Sequence, residues 1–312
     1  MDGRTVLVTG STGGIGKETA RALAARGARV VLTGRDPARA AAAAAELREG
    51  TGNAAVEAFT ADVTSQREVR ALAAAVTDRH GALHCLVNNA GVNPPGRLLT
   101  EDGIESAFAG NVLAPYLLTR LLLAPLRRGA EESGEPSRVV NVTGGIPRGT
   151  LDPGNLQAEK RFSGWLTDTQ YNRSKLALTA MSRTLAGHCA ERGVAVTVVY
   201  PGHADTPMNR ALPTRTYPRL VRPFVPLVRA LMPVLWGDTA APARNVVRAV
   251  TGPAAPGGGY LDMKGRRSRW PAGTGDPVVR AAIWEMCERL APLSGGSRCP
   301  GSGGSGSRRP RR

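Results

Sequence analysis

Short runs of β-branched and aliphatic residues alternate along this chain with longer segments of helical periodicity. The apolar runs predict strands at residues 4–9, 30–33, 54–59, 83–87, 138–142, 194–199 and 259–262. The periodic segments predict helices at residues 17–26, 38–48, 104–127, 171–192 and 239–250. Strands that alternate with helices favour an α/β fold, a single doubly wound parallel sheet of about seven strands with helices on both faces.

Three segments break this pattern. Residues 145–170 are irregular, with two prolines, and a loop of that length in a compact domain is usually functional. Residues 212–236 alternate apolar residues and Arg with five prolines, so they do not predict one regular helix. Residues from 292 onward are dominated by Gly, Ser, Arg and Pro and are expected to be disordered. We therefore expect one domain over residues 1–291 and a tail over 292–312.

The formal charge of +16 resembles that of a nucleic-acid-binding protein until the basic residues are sorted. Only Lys17, Lys160, Lys175 and Lys264 are lysines, and the chain is rich in Ala, Gly and Pro, a pattern typical of a GC-rich genome. No nucleic-acid reading module is present, so no specific nucleic-acid partner is expected. The charge still favours anionic ligands, including a phosphorylated cofactor.

The four cysteines and the start of the chain indicate a cellular setting. Cys85, Cys189, Cys287 and Cys299 lack metal-like spacing, so we expect reduced thiols and no metal site. The first predicted strand begins within a few residues of Met1, and no apolar run reaches the roughly 20 residues that span a bilayer. The expectation is a cytoplasmic protein without a signal peptide.

A glycine-rich turn from Gly10 to Gly16 joins the first strand to the first helix. This order of elements places backbone N–H groups and the positive end of a helix where a pyrophosphate can bind. After the second strand stand Gly34 and Arg35, where an acidic residue would bind a ribose 2′-OH. Arg35 pairs with a 2′-phosphate instead, which favours NADP(H); the alternative is an exposed Arg in an Arg-rich chain.

Tyr171 and Lys175 are four residues apart at the start of a predicted helix. That spacing places the phenol and the ammonium on one helical face. A nearby cation favours the phenolate, so we expect a lowered Tyr pKa and a general acid or base. A surface Tyr beside a solvated Lys is the alternative for this pair alone. The choice of Lys is informative because the chain otherwise uses Arg.

The order of several motifs is more specific than any one of them. The glycine turn is followed by Asn88-Asn89-Ala90-Gly91, then Asn111, then Tyr171 and Lys175, then Tyr200-Pro201-Gly202. This series resembles the short-chain dehydrogenase/reductase superfamily over residues 4–264. It looks most like the retinol dehydrogenase-like and protochlorophyllide reductase-like branch, because residues 16–20, 34–36, 152–160 and 174–177 are similar too. The resemblance implies a Rossmann-type sheet with strand order 3-2-1-4-5-6-7.

The resemblance also implies roles for individual residues. Tyr171 would exchange the proton, Lys175 would lower its pKa and hold the nicotinamide ribose, and Asn111 would hold a water beside Lys175. Cofactor contacts would come from Tyr171, Lys175, Gly10, Ser11, Thr12, Gly14, Ile15, Gly16, Arg35, Asp62, Val63, Asn89, Ala90, Gly91, Pro201, Gly202 and Thr206. On local grounds, Asp62 alone is more typical of a cap or turn, Asn111 of a tolerated helix residue, and Pro115 predicts a kink.

One position departs from the family pattern. The pattern Asn-hydrophobic-x-Ser, counted from Asn141, would place a substrate-orienting hydroxyl at residue 144, where this chain has Gly144. The nearest hydroxyl is on Thr143. It replaces the serine only if the strand end has already turned, since neighbouring side chains on a strand face opposite sides. Replacement by Thr143 and loss of this donor both stay open.

Residues 207–237 correspond in position to the substrate lid of the family. Their apolar side chains suit a bulky apolar substrate, and 212–236 also suits peripheral membrane contact, which is compatible with a lid. The expected reaction is NADP(H)-dependent hydride transfer to or from a carbonyl or alcohol, for example a retinoid-like or secondary-metabolite ketone, by a homo-oligomer. A cyclase or isomerase, or a non-catalytic NADPH sensor of the same fold, is the alternative.

Overall fold

A single sheet organises the protein in this computed structural model, which describes residues 1–145, 148–160, 162, 169–202, 210, 214, 222–226, 238–254 and 258–293. Within these residues the strands are β1 (Thr5–Val8), β2 (Arg29–Gly34), β3 (Val56–Thr60), β4 (Cys85–Asn88), β5 (Ser137–Val142), β6 (Val194–Val199), β7 (Gly259–Leu261) and β8 (Arg267–Ser268). They are ordered β3-β2-β1-β4-β5-β6-β7-β8. The predicted doubly wound sheet and the strand order 3-2-1-4-5-6-7 are confirmed.

The eighth strand was not predicted. β8 pairs antiparallel with β7, with Ser268 opposite Tyr260 and Arg267 opposite Leu261, whereas the other pairs are parallel. A two-residue strand next to a sequence rich in Arg gives no apolar run, so the pattern of the chain does not reveal it.

Helices lie on both faces of the sheet. The described ones are α1 (Gly14–Ala24), α2 (Pro37–Thr51), α3 (Gln66–His80), α4 (Ser106–Phe108), α5 (Ala114–Leu121), α6 (Leu123–Ser133), α7 (Gln170–Ala190), α8 (Ala240–Thr251) and α9 (Pro277–Leu290). Polar side chains set several of their starts, because Asp36, Ser65, Thr169 and Asp276 accept hydrogen bonds from the first free backbone N–H groups of α2, α3, α7 and α9.

The stretch predicted as one helix over residues 104–127 is divided. A π-helical turn over Ala109–Leu113 separates α4 from α5, and Pro115 lies in the first turn of α5. Pro115 has no N–H to donate to the preceding turn, so the irregularity falls beside it, in line with the predicted kink. A second break at Leu122 separates α5 from α6.

The core has two parts, one on each face of the sheet. Val139 and Val196 belong to the cluster on the side of α5, α7 and α9. Val140 follows Val139 on β5, and Val199 lies on β6 with Val196. Both Val140 and Val199 belong to the cluster with α1, α2 and α8. Side chains of a strand alternate between faces, so this division shows that the central strands are buried on both sides.

Helix α9 covers the outer face of α7. Its residues Ile283 and Cys287 are fully buried, and the Trp284 ring stacks on His188 of α7 at a centroid distance of 4.4 Å. Trp284 also meets the Tyr116 ring of α5 edge-on at 5.1 Å. The helix that carries Tyr171 is therefore enclosed between the sheet and α9.

Several predictions fall partly or wholly outside the described residues. Most of the proposed lid over 207–237, the tail after residue 293, and Thr206 lie outside them. Within the described residues, no single helix combines the length and apolar composition needed to cross a bilayer, although Ser106–Leu121 and Leu123–Ser133, bent by 57°, do so as a pair.

Cys85 and Cys189 are buried free thiols, and burial raises their pKa to about 12 and about 11.

Candidate active site

The carboxyl ends of the central strands bring the motifs of the sequence together. β1, β4, β5 and β6 are neighbouring parallel strands in register. The segments that leave them are the glycine turn after β1, residues 88–91 at the end of β4, Thr143 and Gly144 after β5, and Pro201 and Gly202 after β6. Ligands of open parallel sheets bind at this edge.

The glycine turn is packed as closely as a backbone allows. Gly10 has a φ of +62°, and a Cβ added there would lie 2.8 Å from the Cα of Ala90. A Cβ on Gly16 would lie 2.4 Å from the Gly10 carbonyl oxygen. A Cβ on Gly13 would meet nothing within 4 Å, and no side chain caps the start of α1. The start of α1 is therefore open beside Gly13 and has no side-chain cap, which fits a pyrophosphate.

Ser11 and Asn89 stabilise this turn from within. The buried Ser11 hydroxyl donates to the Val8 carbonyl at 2.6 Å and accepts from the Thr33 N–H at 3.0 Å. The Asn89 amide donates to the Thr9 carbonyl at 2.9 Å. Both predicted cofactor residues thus hold the turn through their side chains.

Thr9 was missed by the sequence analysis. Its buried hydroxyl accepts hydrogen bonds from the N–H groups of Asn89 at 3.1 Å and Ala90 at 3.0 Å. The available signal was a threonine at the end of an apolar strand, which needs a polar partner when buried. Thr9 joins the segment after β1 to the segment after β4.

The predicted adenosine end lies after β2 and β3. Arg35 is exposed directly after Gly34, where a Cβ would lie 2.4 Å from the Thr12 side chain. The next residue, Asp36, uses its carboxylate to accept from the Arg39 N–H at 3.1 Å, which caps α2. The Asp36 carboxylate also lies 4.0 Å from the exposed Arg39 guanidinium, so the acidic residue of this turn is used within α2, and Arg35 is exposed to meet a phosphate.

Asp62 and Val63 follow β3. The Asp62 carboxylate accepts from both the N–H and the hydroxyl of Thr64 at 2.8 Å. This is the turn role considered for Asp62 on local grounds. Val63 is partly buried against the core and lies beside Thr9 and Ala90 in a small cavity.

Tyr171 and Lys175 lie in the first turns of α7, which Thr169 caps by accepting from the Asn172 N–H at 3.2 Å. Lys175 is only 4% exposed, and its Nζ donates to the Val142 carbonyl at 3.1 Å. Tyr171 is partly exposed, whereas the residues that follow it in α7 are buried. Tyr171 is thus less enclosed than Lys175.

The pKa values differ from the sequence prediction. We expected Lys175 to lower the pKa of Tyr171, but burial raises the pKa of Tyr171 to about 12, and the nearby Tyr200 phenol adds to the rise. Burial also lowers the pKa of Lys175 to about 8. Loss of water disfavours both charged forms, and this effect dominates in the protein alone. Tyr200 is therefore a further site residue that sequence reasoning did not assign.

Asn111 lies in the π-helical turn with no exposed surface. Its Oδ1 accepts from the Val92 N–H at 2.8 Å, and its Nδ2 donates to the Val92 carbonyl and to the Ser174 hydroxyl, both at 2.9 Å. A Cβ added to Gly91 would lie 3.1 Å from Asn111 Oδ1 and 3.2 Å from Lys175 Nζ. Gly91, Asn111 and Lys175 therefore form one closely packed unit.

Thr143 and Gly144 follow β5, where the serine of the family pattern is missing. The buried Thr143 hydroxyl donates to the Lys175 carbonyl at 3.1 Å, so it faces the backbone of α7. The position of a Cβ on Gly144 lies 2.8 Å from the phenol oxygen of Tyr171. Residue 144 thus faces the phenol and the Thr143 hydroxyl faces α7, while the replacement of the serine by Thr143 stays a prediction.

The remaining predicted residues complete the edge of the site. Pro201 is buried, and Gly202 has a φ of +92° and lies against Met263. The Asn88 amide donates to the Asn141 side chain at 2.8 Å, which ties the ends of β4 and β5 together. No group of three His, Cys, Asp or Glu that could bind a metal occurs among the described residues.

Comparisons with known proteins agree with this arrangement. A family model described as short chain dehydrogenase matches residues 4–149 and 155–216. Human retinol dehydrogenase 12 is 39% identical over 203 residues, which cover 65% of this chain and 62% of that protein, less than two thirds of its length. Human dehydrogenase/reductase SDR family member 13 is 36% identical over 95% of this chain and 75% of that protein.

A solved structure shows the same similarity in three dimensions. The complex of Pseudomonas aeruginosa RhlG with NADP has a TM-score of 0.64 and 30% identity, and it covers 85% of this chain and 96% of that chain.

Proposed function

This chain belongs to the short chain dehydrogenase family of oxidoreductases, in its retinol dehydrogenase-like branch, and we propose that it transfers a hydride between NADP(H) and a carbonyl or alcohol of a bulky apolar substrate. The observation that carries the proposal is the packing of Lys175 and Asn111 around Gly91, with Tyr171 one helical turn before Lys175 on α7 and beside Gly144, near an uncapped α1 at the carboxyl edge of the sheet. This arrangement supports a proton donor next to a backbone that would bind a dinucleotide.

In this proposal each residue has a defined task. Bound NADPH would supply the hydride. The phenol of Tyr171 gives its proton to the carbonyl oxygen, or takes it from an alcohol in the reverse direction. Lys175, enclosed against the Val142 carbonyl, favours the phenolate that remains. Asn111 fixes the segment after β4 through Val92 and the first turn of α7 through Ser174.

The choice of NADP(H) over NAD(H) is supported by charge at the end of β2. Arg35 is exposed there, and the carboxylate of Asp36 caps α2. An arginine binds a 2′-phosphate through charge-assisted hydrogen bonds, whereas an acidic residue would bind the ribose 2′-OH of NAD. The NADP complex of RhlG offers a parallel in a related fold.

The apolar character of the substrate is supported at the rim of the site. Met263 is 51% exposed and lies against Gly202, next to the buried Pro201. Retinol, named in the relatives, is itself a bulky apolar alcohol. The proposal also includes peripheral membrane contact through residues 212–236. It includes a cytoplasmic homo-oligomer as well.

The proposal is tested by NADPH consumption with a panel of apolar ketones, aldehydes and enones. The parent protein should oxidise NADPH with at least one of them. Tyr171→Phe should lower turnover by about 10²- to 10⁴-fold at nearly unchanged NADPH affinity. Tyr116→Phe, a buried tyrosine that packs on Trp284, serves as the matched control and should keep parent turnover. NADPH binding without turnover of any substrate would favour a sensor, and substrate conversion without NADPH oxidation a cyclase or isomerase.

A further inference from the structure

A buried amide lies directly before Tyr171. Gln170 is 1% exposed, and its Nε2 donates to Glu105 Oε2 at 2.7 Å and to the Leu156 carbonyl at 3.0 Å. Its Oε1 accepts from Arg173 Nε at 3.2 Å. Only the nitrogen suits the carboxylate and only the oxygen suits the guanidinium, so these partners fix the orientation of the amide.

The Glu105 end of this network anchors the segment that leads to Asn111. The Glu105 carboxylate is fully buried and accepts from the N–H groups of Ala107 and Phe108, both at 2.9 Å. The Glu105 N–H donates to Gln157 Oε1 at 3.1 Å. Glu105 thus caps α4, which continues into the π-helical turn.

The Arg173 end reaches the loop before α7. Arg173 is 8% exposed, and its Nη2 donates to the Phe162 carbonyl at 2.8 Å. With the bond from Gln170 to Leu156, the network holds this loop at two of its backbone carbonyls. A buried carboxylate and a buried guanidinium are therefore joined through one amide side chain.

Helix capping alone does not explain Gln170. Glu105 caps α4 and Thr169 caps α7 without it. Burial of an amide without hydrogen bonds is costly, so the bonds of Gln170 have to be made when it is buried. Since neither cap needs Gln170, its specific effect is to link α4 and α7. Ser174 makes a second link, because its hydroxyl accepts from Asn111 at 2.9 Å and donates to the Tyr171 carbonyl at 2.7 Å. Tyr171 stands between the two links.

We propose that Gln170 is a positioning residue, which joins Glu105 to Arg173 and so holds the first turn of α7 in place relative to the 105–111 segment. The inference rests on the proposed function, since the position it controls is that of the Tyr171 phenol relative to Asn111. A small displacement of a reacting group lowers turnover far more than it lowers binding.

An exchange of charge tests the link. Gln170→Glu keeps the size of the side chain and puts a second carboxylate against that of Glu105. We expect kcat to fall by about 10²-fold, while KM for the substrate and Kd for NADPH change little. Glu105→Gln together with Gln170→Glu removes the repulsion between the two carboxylates and should recover about tenfold of kcat, although it loses the bond to the Leu156 carbonyl and one acceptor of the α4 cap. Gln66→Glu, the same change on α3, is the control and should keep parent kinetics.

Two further measurements separate the outcomes. If Gln170→Glu fails to fold, Gln170→Met removes the hydrogen bonds without adding charge, and a kcat loss of about tenfold or more is expected. Amide hydrogen exchange in the first turn of α7 should become faster in each Gln170 variant. Lower thermal stability with parent kcat and parent exchange would overturn the inference. A parent protein without turnover would refute the proposed function, and the exchange rates would still test the link.

Discussion

The phenol oxygen of Tyr171 lies 2.8 Å from the point that a β-carbon of Gly144 would occupy. The tyrosine therefore fills the space that a side chain at residue 144 would need. The glycine at residue 144 therefore does more than remove a hydroxyl from the family pattern. The phenol of Tyr171 can occupy its position because residue 144 has no side chain.

Gly144→Ala should accordingly lower turnover. The added methyl group has to displace the phenol, and we expect kcat to fall by about tenfold or more at unchanged Kd for NADPH. Gly187→Ala is the matched control. Gly187 lies in α7, and a Cβ added there would meet nothing within 4 Å. Steady-state kinetics and NADPH titration of both variants check the prediction. Parent turnover in Gly144→Ala, or a gain in Gly144→Ser, would contradict it.

Thr143→Val should affect stability and leave turnover nearly intact. The lost hydroxyl donates to the Lys175 carbonyl, and such a hydrogen bond contributes about 1 kcal/mol to the free energy of unfolding. Thr179→Val, which removes a second hydroxyl from the same carbonyl, should cost a similar amount. Urea unfolding and kcat are the measurements. A loss of about 10²- to 10³-fold in kcat would instead show that Thr143 stabilises the oxyanion.

Arg35→Asp should weaken NADPH binding far more than NADH binding. The change replaces a charge-assisted contact of roughly 1.5–3 kcal/mol with a repulsion, so we expect a loss of roughly 10- to 100-fold for NADPH alone. Both cofactors are titrated against the variant and against Arg67→Asp, which changes an exposed arginine on α3. Equal losses for the two cofactors would sink the assignment of NADP(H).

Lys175→Met should stabilise the fold in a manner that depends on pH. The pKa of Lys175 is lowered from 10.5 to about 8 by burial, so below pH 8 the folded protein carries a disfavoured charge. As the pH rises from 8 toward 10.5, the folded state stays neutral while the unfolded state remains protonated, and the penalty disappears. We expect the variant to gain up to about 3 kcal/mol at pH 6 to 7 and progressively less above pH 8.

Urea unfolding at several pH values measures this gain. Lys17→Met is the control, because Lys17 pairs with Glu46 at the surface and should show no such gain. A difference between Lys175→Met and the parent that stays constant with pH would show that folding does not lower the pKa of Lys175.

The fold was predictable from the sequence because its signals are local. Apolar runs at 4–9 and 194–199 and the glycine turn between Gly10 and Gly16 each carry their own structural meaning. Parallel strands share one carboxyl edge, so the motifs that follow them were bound to meet there. The position of Tyr171 four residues before Lys175 needed only the helix that Thr169 begins.

What the sequence did not reveal depends on distant contacts. Gln170 and Glu105 are 65 residues apart, and neither has a local feature that marks the other as its partner. The π-helical turn around Asn111 and the direction of the Thr143 hydroxyl depend on how the neighbouring elements pack. The predicted direction of the Tyr171 pKa shift was wrong, because burial, a property of the whole fold, outweighs the charge of a neighbour.

The packing of α9 on α7 has a consequence for folding during synthesis. The ribosome releases α7 before α9, so until Trp284 reaches His188 the outer face of the helix that carries Tyr171 is exposed to other molecules in the cell. A newly made chain in that interval presents apolar surface to chaperones and to other unfinished chains. The outer face of α7 therefore acquires its permanent surroundings at a late stage of synthesis.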